Sequence, residues 1–441
     1  MSNFDEQDLN HVIWTQPSID HHAHHLLNRE AALNPDMTTR APLGAIVSAN
    51  YDSSDNIEQT IPVRWAMCQL HEHYESCNYR CDDFKYSWDE LQARHDRFVR
   101  EDYGGLIEAS LKGTHVLFLD DPIPEEVEDL IPSSGYDSFT TVPTKRIAHI
   151  EGMAAAQILE MVRSEPRPDE TVWSNFRQRF QNALREAMED PKVVAFKTDI
   201  CHRTGLDVDP YPSDDATLGV SLLRVLDSGT TRSGFQVNDK PLCDWLVQQT
   251  LQAISYSRRE PAKPLHFETG LEPGFYFAGG EANLVRANPA FLQPLIAKYP
   301  QVPIVLLHAA YPYTREAVYL AHICNNVYLD LSVVFPKVSQ GGQEKVLREC
   351  LDVLPPTRLL WSSGGREQPE SYYLATYQFR KVLALVLWCY VKNLDLTIKA
   401  AGDAAVGILF GNANKLYGLG FDTPVLREFT EGIEHRANRF G

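Results

Sequence analysis

Residues 19–25 read Ile19-Asp20-His21-His22-Ala23-His24-His25, a short apolar run that ends in a burst of histidines. His22 and His24 stand two apart, so on an extended segment they project from the same side, while His21 and His25 are expected to point away. Two imidazoles so placed can chelate one cation. Working outward, seven further apolar runs bounded by polar or turn residues recur along the chain, and stretches with helical spacing separate them. The eight runs cover 13–20, 114–120, 146–151, 193–200, 264–269, 303–309, 326–331 and 358–363. Their β-branched and aromatic content, as in Val193-Val194-Ala195-Phe196, suits strands buried on both faces. Helical patterns lie between them at 88–111, 171–187, 241–257, 289–299, 314–324 and 343–351, which is the signature of βα units and a parallel sheet.

Eight such units predict a (β/α)8 TIM barrel. The competing open sheet loses its commonest functional signature, because no G-x-G-x-x-G follows the first run and no P-loop occurs. Residues 34–87, with a helix-like segment at 64–74, read as a helical insertion after strand 1, and a long Pro/Gly/Asp-rich connection spans 204–240. The whole chain, 1–441, is expected to form a single barrel domain, a length within the range such barrels reach with insertions.

Composition narrows the partners. Hydrophobic residues make up 44% and charged residues 23%, as in an ordinary globular protein. A net charge of −18 disfavours nucleic-acid phosphates and anionic lipid, so a small-molecule substrate is expected, with homo-oligomerisation left open. Residues 1–10 are polar and acidic, unlike a secretory signal, and the longest strongly apolar run, 382–391, is half of what a bilayer requires; a cytoplasmic, non-membrane protein is expected. Eight cysteines show no framework, and the nearest pair, Cys77 and Cys81, lacks a second Cys/His pair at zinc-site spacing.

In a barrel of this kind catalytic groups come from the C-terminal ends of different strands. The first run ends in His22 and His24, the fourth in Lys197, the fifth in His266-Phe267-Glu268 and the sixth in His308. These are the donor types that bind divalent metals. The other histidines, His149 and His202 among them, read as structural, and Arg203 and Arg315 stand just beyond strand ends.

Strand-one His-x-His, strand-four Lys and strand-six His resemble the amidohydrolase superfamily. More narrowly, the chain is similar to the amidohydrolase-like half of the FluG and nodulin/glutamine-synthetase fusion proteins, through the phrases at 19–27, 196–206, 306–317 and 410–417. The resemblance implies that His22 and His24 bind one metal and His308 a second, with a carbamylated Lys197 bridging them. Two departures stand out. Glu268 occupies the place of a family metal histidine in His266-Phe267-Glu268-Thr269-Gly270, and Ser362-Ser363-Gly364-Gly365-Arg366 has Gly364 where the family has a strand-eight aspartate that binds metal and moves the proton of the attacking water.

Glu268 is therefore expected to serve as ligand and base, with His266 as a second candidate for proton transfer. A site of His22, His24, His308 and Glu268, with or without Lys197, suits a divalent ion, zinc first, with manganese or iron as alternatives. Arg366 and Arg203 are candidates to hold a substrate anion. The expected activity is metal-dependent turnover of a small anionic or aromatic molecule, by hydrolysis or by a lyase, decarboxylase, isomerase or oxygen-dependent variant. The alternative is a pseudoenzyme that keeps the barrel for binding or regulation.

Overall fold

The computed structural model describes residues 6–34, 43–47, 60–74, 87–122, 124–164, 171–231, 234–270 and 283–422. Cys77, Cys81 and much of the 34–87 insertion lie outside the described residues. Eight parallel strands follow one another in a single sheet: β1 (Ser18–Ala23), β2 (Thr114–Asp120), β3 (Lys145–His149), β4 (Val193–Thr198), β5 (Leu265–Phe267), β6 (Ile304–Leu306), β7 (Val327–Asp330) and β8 (Leu359–Leu360). The sheet curls until β8 meets β1. There the His24 amide donates to the Gly365 carbonyl (2.8 Å), the Gly364 amide to His22 (3.1 Å) and the Leu27 amide to Glu367 (2.9 Å). The strands thus form the expected barrel.

Each strand is short, and its neighbours explain its limits. Residues 13–15, expected in strand 1, belong instead to the helix Glu6–Thr15, which buries Leu9, Val12 and Ile13 on one face. Spacing of i, i+3 and i+4 outweighs the local β-branched content there, and Pro17, which restrains the residue before it, separates helix from strand. Glu151 similarly falls in the helix Ile150–Ser164 rather than in strand 3. The long connection after β4 contains a further helix, Asp215–Asp227, started by Asp214, whose carboxylate accepts from the Thr217 amide.

The barrel interior is filled by Ile19, Val116, Phe118, Ile147, Ala195, Val305 and Leu360, and one end is plugged by Phe410, Ala413, Leu416 and Tyr417 from the last described helical segment. A second apolar layer fixes the surrounding helices to the outer faces of the strands. Within the insertion, helix Ile61–Tyr74 buries Val63, Ala66, Met67 and Leu70. Its Tyr74 hydroxyl donates to the fully buried Glu370, which also bonds His95 Nδ1 at 2.7 Å. These contacts dock the insertion beside the strand-1 and strand-8 edge. Among the described residues no helix is long and apolar enough to cross a membrane.

An irregularity in β1 decides where its histidines point. Between Asp20 and Ala23 β1 advances three residues while β2 advances two, from Leu117 to Leu119. An extra residue of this kind is a β-bulge, and it breaks the strict alternation of sides. His21 therefore also faces the barrel interior, against Tyr417 and Asp330, instead of pointing away from it.

Candidate metal centre

The polar side chains gather at the C-terminal ends of the strands. His22 is fully buried, and neither of its ring nitrogens has a hydrogen-bond partner. Its ring centre lies 5.1 Å from that of His24 and 5.5 Å from that of His308. Asp120, the last residue of β2, stands across from them: one carboxylate oxygen is 3.9 Å from His22 Nε2 and 3.7 Å from His24 Nδ1, and the other has no partner. His308 Nδ1 bonds the Ser332 hydroxyl at 2.9 Å, leaving Nε2 buried without one. His22, His24 and Asp120 present ligand atoms that all lie within 4.8 Å of one another.

The two other strand-end groups lock together. The Lys197 ammonium is buried between Asp120 and Glu268 and forms ion pairs with both. The second oxygen of Glu268 lies 3.3 Å from His202 Nε2. The structure thus brings His22, His24, His308, Lys197 and Glu268 into one pocket. It sets His266 apart, fully buried in the barrel interior with Nε2 bonded to the Tyr417 hydroxyl at 2.8 Å.

The two candidate arginines differ in the same way. Arg366 is half-buried at the mouth, near enough to His24 for its charge to disfavour protonation there. Arg203 is engaged by Asp199, with Nε donating at 2.5 Å and Nη2 at 2.8 Å, and by the Val237 carbonyl. Arg315 is exposed and pairs with Glu349.

Burial and charge set the protonation states. Burial and then the Lys197 charge hold His22 well below the usual imidazole range, and His24 is lowered by the same two causes. Burial pushes His308 down to about 4. All three are neutral at pH 7, which is the form that binds metal. Burial alone would raise Glu268, but Lys197 and His202 hold its carboxyl well below the ordinary value. Asp120 moves the other way, raised because burial outweighs Lys197.

Buried ring nitrogens and a carboxylate oxygen without partners cost free energy of roughly 1–3 kcal/mol each, so their convergence calls for a species that accepts several lone pairs at once. A divalent cation fits this donor set: three neutral imidazoles and one carboxylate.

A second cluster sits beside the first. His149 ends β3, and its Nε2 lies 3.4 Å from both Glu151 and Asp199. Glu151 also accepts from the Thr198 hydroxyl, while Asp199 carries the Arg203 pair. His149, Glu151 and Asp199 again present ligand atoms within 4.8 Å of one another.

Several contributors were missed in the sequence. Asp120 closes the second apolar run as Lys197 closes the fourth, and Asp330 closes the seventh, so the strand-end rule already pointed at both. His202 carries no such signal, because it lies on a 3-10 turn, Ile200–His202, and reaches Glu268 only through the fold.

Comparison with known proteins bears on the family and the fold. The amidohydrolase family model matches residues 149–419. The chain is 42% identical over 426 residues to protein fluG of Emericella nidulans, covering 94% of this chain and 47% of that protein, so it spans about half the length of that curated relative. Among solved structures, a protein from Lactobacillus casei described as a metal-dependent hydrolase superposes with a TM-score of 0.71 at 21% identity, over 93% of this chain and 98% of its own. A uronate isomerase from Bacillus halodurans gives 0.60 at 13% identity, over 94% and 96%. At such identities the two structures speak for the fold alone, and the fold is the barrel described above. With more than half of its length matched by the family model, the chain belongs to the amidohydrolase family.

Proposed function

We propose that this amidohydrolase-family enzyme uses one divalent ion, zinc first, held by His22, His24, His308 and Asp120, to transform a small anionic molecule in the cytoplasm. The observation that carries the reading is the set of buried polar atoms with no protein hydrogen bond: the ring nitrogens of His22, one of which can ligate, Nε2 of His308 and one oxygen of Asp120. When bound, the ion supplies Lewis acidity toward a substrate oxygen or a water.

The remaining roles follow from charge. Lys197, an ammonium between Asp120 and Glu268, holds both carboxylates in place and keeps Glu268 ionised. Carbamylation of Lys197 would put a third negative charge between them and would need added cationic charge to offset the repulsion, whereas the ammonium form attracts both. Glu268, fixed by Lys197 on one oxygen, shares its other oxygen with His202, and this pair moves the proton that the missing strand-eight aspartate would otherwise carry. Arg366 at the mouth holds the substrate anion through its planar fork. His266 is bound into the barrel interior by Tyr417 and serves the scaffold.

The proton exchanged at Glu268 and His202 is common to several reaction types. Proton transfer between this pair and a bound substrate or water serves hydrolysis and also isomerisation or decarboxylation, and Gly364 weighs against the hydrolytic route of the family. The test is elemental analysis of the purified protein, followed by assays on small carboxylates before and after chelation. One tightly bound transition metal and chelator-sensitive turnover are expected; a folded, metal-free protein with turnover unchanged by chelation defeats the reading. Gly364 also favours a second reading, a barrel that binds without turning over; in that case His22→Ala with His24→Ala leaves the cellular role intact.

A further inference from the structure

Beneath the proposed metal ligands a line of hydrogen bonds crosses the barrel. His308 Nδ1 meets the Ser332 hydroxyl at 2.9 Å, and that hydroxyl donates to Asp330 Oδ2. The other oxygen of Asp330 meets His21 Nε2 at 3.0 Å, His21 Nδ1 meets the Tyr417 hydroxyl at 2.9 Å, and that hydroxyl meets His266 Nε2 at 2.8 Å. Asp330, Ser332, His21, His266 and His308 are all buried, so no bulk water intervenes.

On the His308 side the protons in this line have only one consistent arrangement. Asp330 also accepts from the Ser332 amide (3.0 Å) and the Ser362 hydroxyl (2.8 Å), as an acceptor-only carboxylate should. A serine hydroxyl has a single proton. Because the Ser332 proton goes to Asp330, the Ser332 oxygen must accept from His308, and His308 carries its proton on Nδ1. Its Nε2 is then a lone pair, and this is the nitrogen that has no protein partner. On the other branch His21 donates from Nε2 to the acceptor-only Asp330, and the Tyr417 hydroxyl links its Nδ1 to His266 Nε2.

We infer that Asp330 is a positioning residue for the metal centre: acting through Ser332, it fixes the tautomer and ring orientation of His308 so that Nε2 faces the pocket. The inference rests on the proposed metal site for its consequence, but the tautomer stands by itself. Asp330 closes β7 with Ser332 two residues beyond it, His308 follows β6 and Ser362 follows β8, so three neighbouring strand ends share one carboxylate. The backbone at His308, Ala309 and Ala310 has φ of 65°, 49° and 48°, a left-handed run that non-glycine residues rarely adopt. An anchored imidazole is what such a segment needs to hold one geometry.

The experiment has two arms on the whole chain. In metal-free protein labelled with 15N-histidine, long-range proton–nitrogen correlation, assigned with His308→Gln, is expected to show His308 protonated at Nδ1. Separately, zinc affinity measured by competition with a chromophoric chelator is expected to fall about 10–100-fold in Ser332→Ala, the range typical when a ligand loses its outer partner, and to return in Ser332→Thr. Asp330→Asn, which puts donor protons where Asp330 only accepts, should show the same loss. A proton on Nε2 of His308, or a folded Ser332→Ala that binds zinc as the parent does, overturns the inference. If the parent chain binds no zinc, the proposed function fails, and the tautomer measurement still decides this one.

Discussion

Two neighbouring clusters at the mouth of the barrel have the same ingredients and opposite character. His22, His24 and Asp120 on one side, and His149, Glu151 and Asp199 on the other, each bring imidazole and carboxylate atoms within 4.8 Å of one another. In the second cluster the charges are answered from within: Arg203 forks onto Asp199, Thr198 donates to Glu151, and His149 lies between the two acids. In the first, buried nitrogens and an oxygen are left without partners. Donor type and spacing are therefore a weak test for a metal site. What separates the two is how fully the protein's own groups compensate the ligand atoms: His149 Nε2 alone lacks a hydrogen bond in the second cluster, against both nitrogens of His22 and one oxygen of Asp120 in the first.

The largest effect should come from removing ligands on the uncompensated side. Zinc sites of four ligands bind with roughly 10–16 kcal/mol, or about 3 kcal/mol per ligand, so His22→Ala with His24→Ala should weaken zinc binding by about 10⁴-fold. His149→Ala should leave the metal content of the purified protein unchanged. Elemental analysis of both variants checks the pair, and metal loss in His149→Ala would erase the distinction.

On the compensated side the expected currency is stability. Arg203→Met leaves Asp199 buried with only His149 for charge partner, and breaking a buried pair of this kind costs about 3–5 kcal/mol, read as a lower urea midpoint with unchanged metal content. His149 adds a pH dependence. Burial opposes its charge, but Asp199, Glu151 and Asp120 raise it to about 9 from an ordinary 6.5. Its stabilisation is thus complete below pH 6.5 and is lost as pH rises through 9, a fall of about 2–3 kcal/mol. Unfolding curves of His149→Gln between pH 6.5 and 9 should lack that fall; an unchanged slope would mean the imidazolium is not what holds the two acids together.

Much of this was legible in the chain, and the reasons are physical. The strand ends were readable because a barrel strand is an apolar run and its functional group follows directly, as at Lys197, Glu268 and His308. The parity of β1 was not, since a bulge at residues 20–23 moves His21 inward and leaves no mark in hydrophobic pattern. Arg203 read as a substrate ligand because its place after β4 is exposed to view in sequence, whereas its pairing with Asp199 depends on the one-turn return of the chain at 200–202. His202 and the Asp330 line are tertiary facts, made by residues up to about 400 positions apart, such as His21 and Tyr417.

The smallest effect expected tests why the uncompensated cluster lacks the carboxylate that its family places on strand eight. Gly364 has φ +58°, and a Cβ built there would stand 2.7 Å from Val333 Cγ2. Val333 is itself held at φ 60°, next to Ser332 and its bonds to Asp330. Restoring the aspartate by Gly364→Asp thus forces a side chain into left-handed backbone and against a neighbour that cannot easily retreat. A destabilisation of about 1–2 kcal/mol is expected, with no gain in zinc affinity, and Gly364→Asp combined with Val333→Ala should recover part of the stability by opening the space. If Gly364→Asp instead binds zinc more tightly at full stability, the glycine is a simple loss and not an adaptation of the strand-eight turn. Pairing the variants keeps the two causes apart, because only the steric contact responds to Val333→Ala while the backbone strain remains.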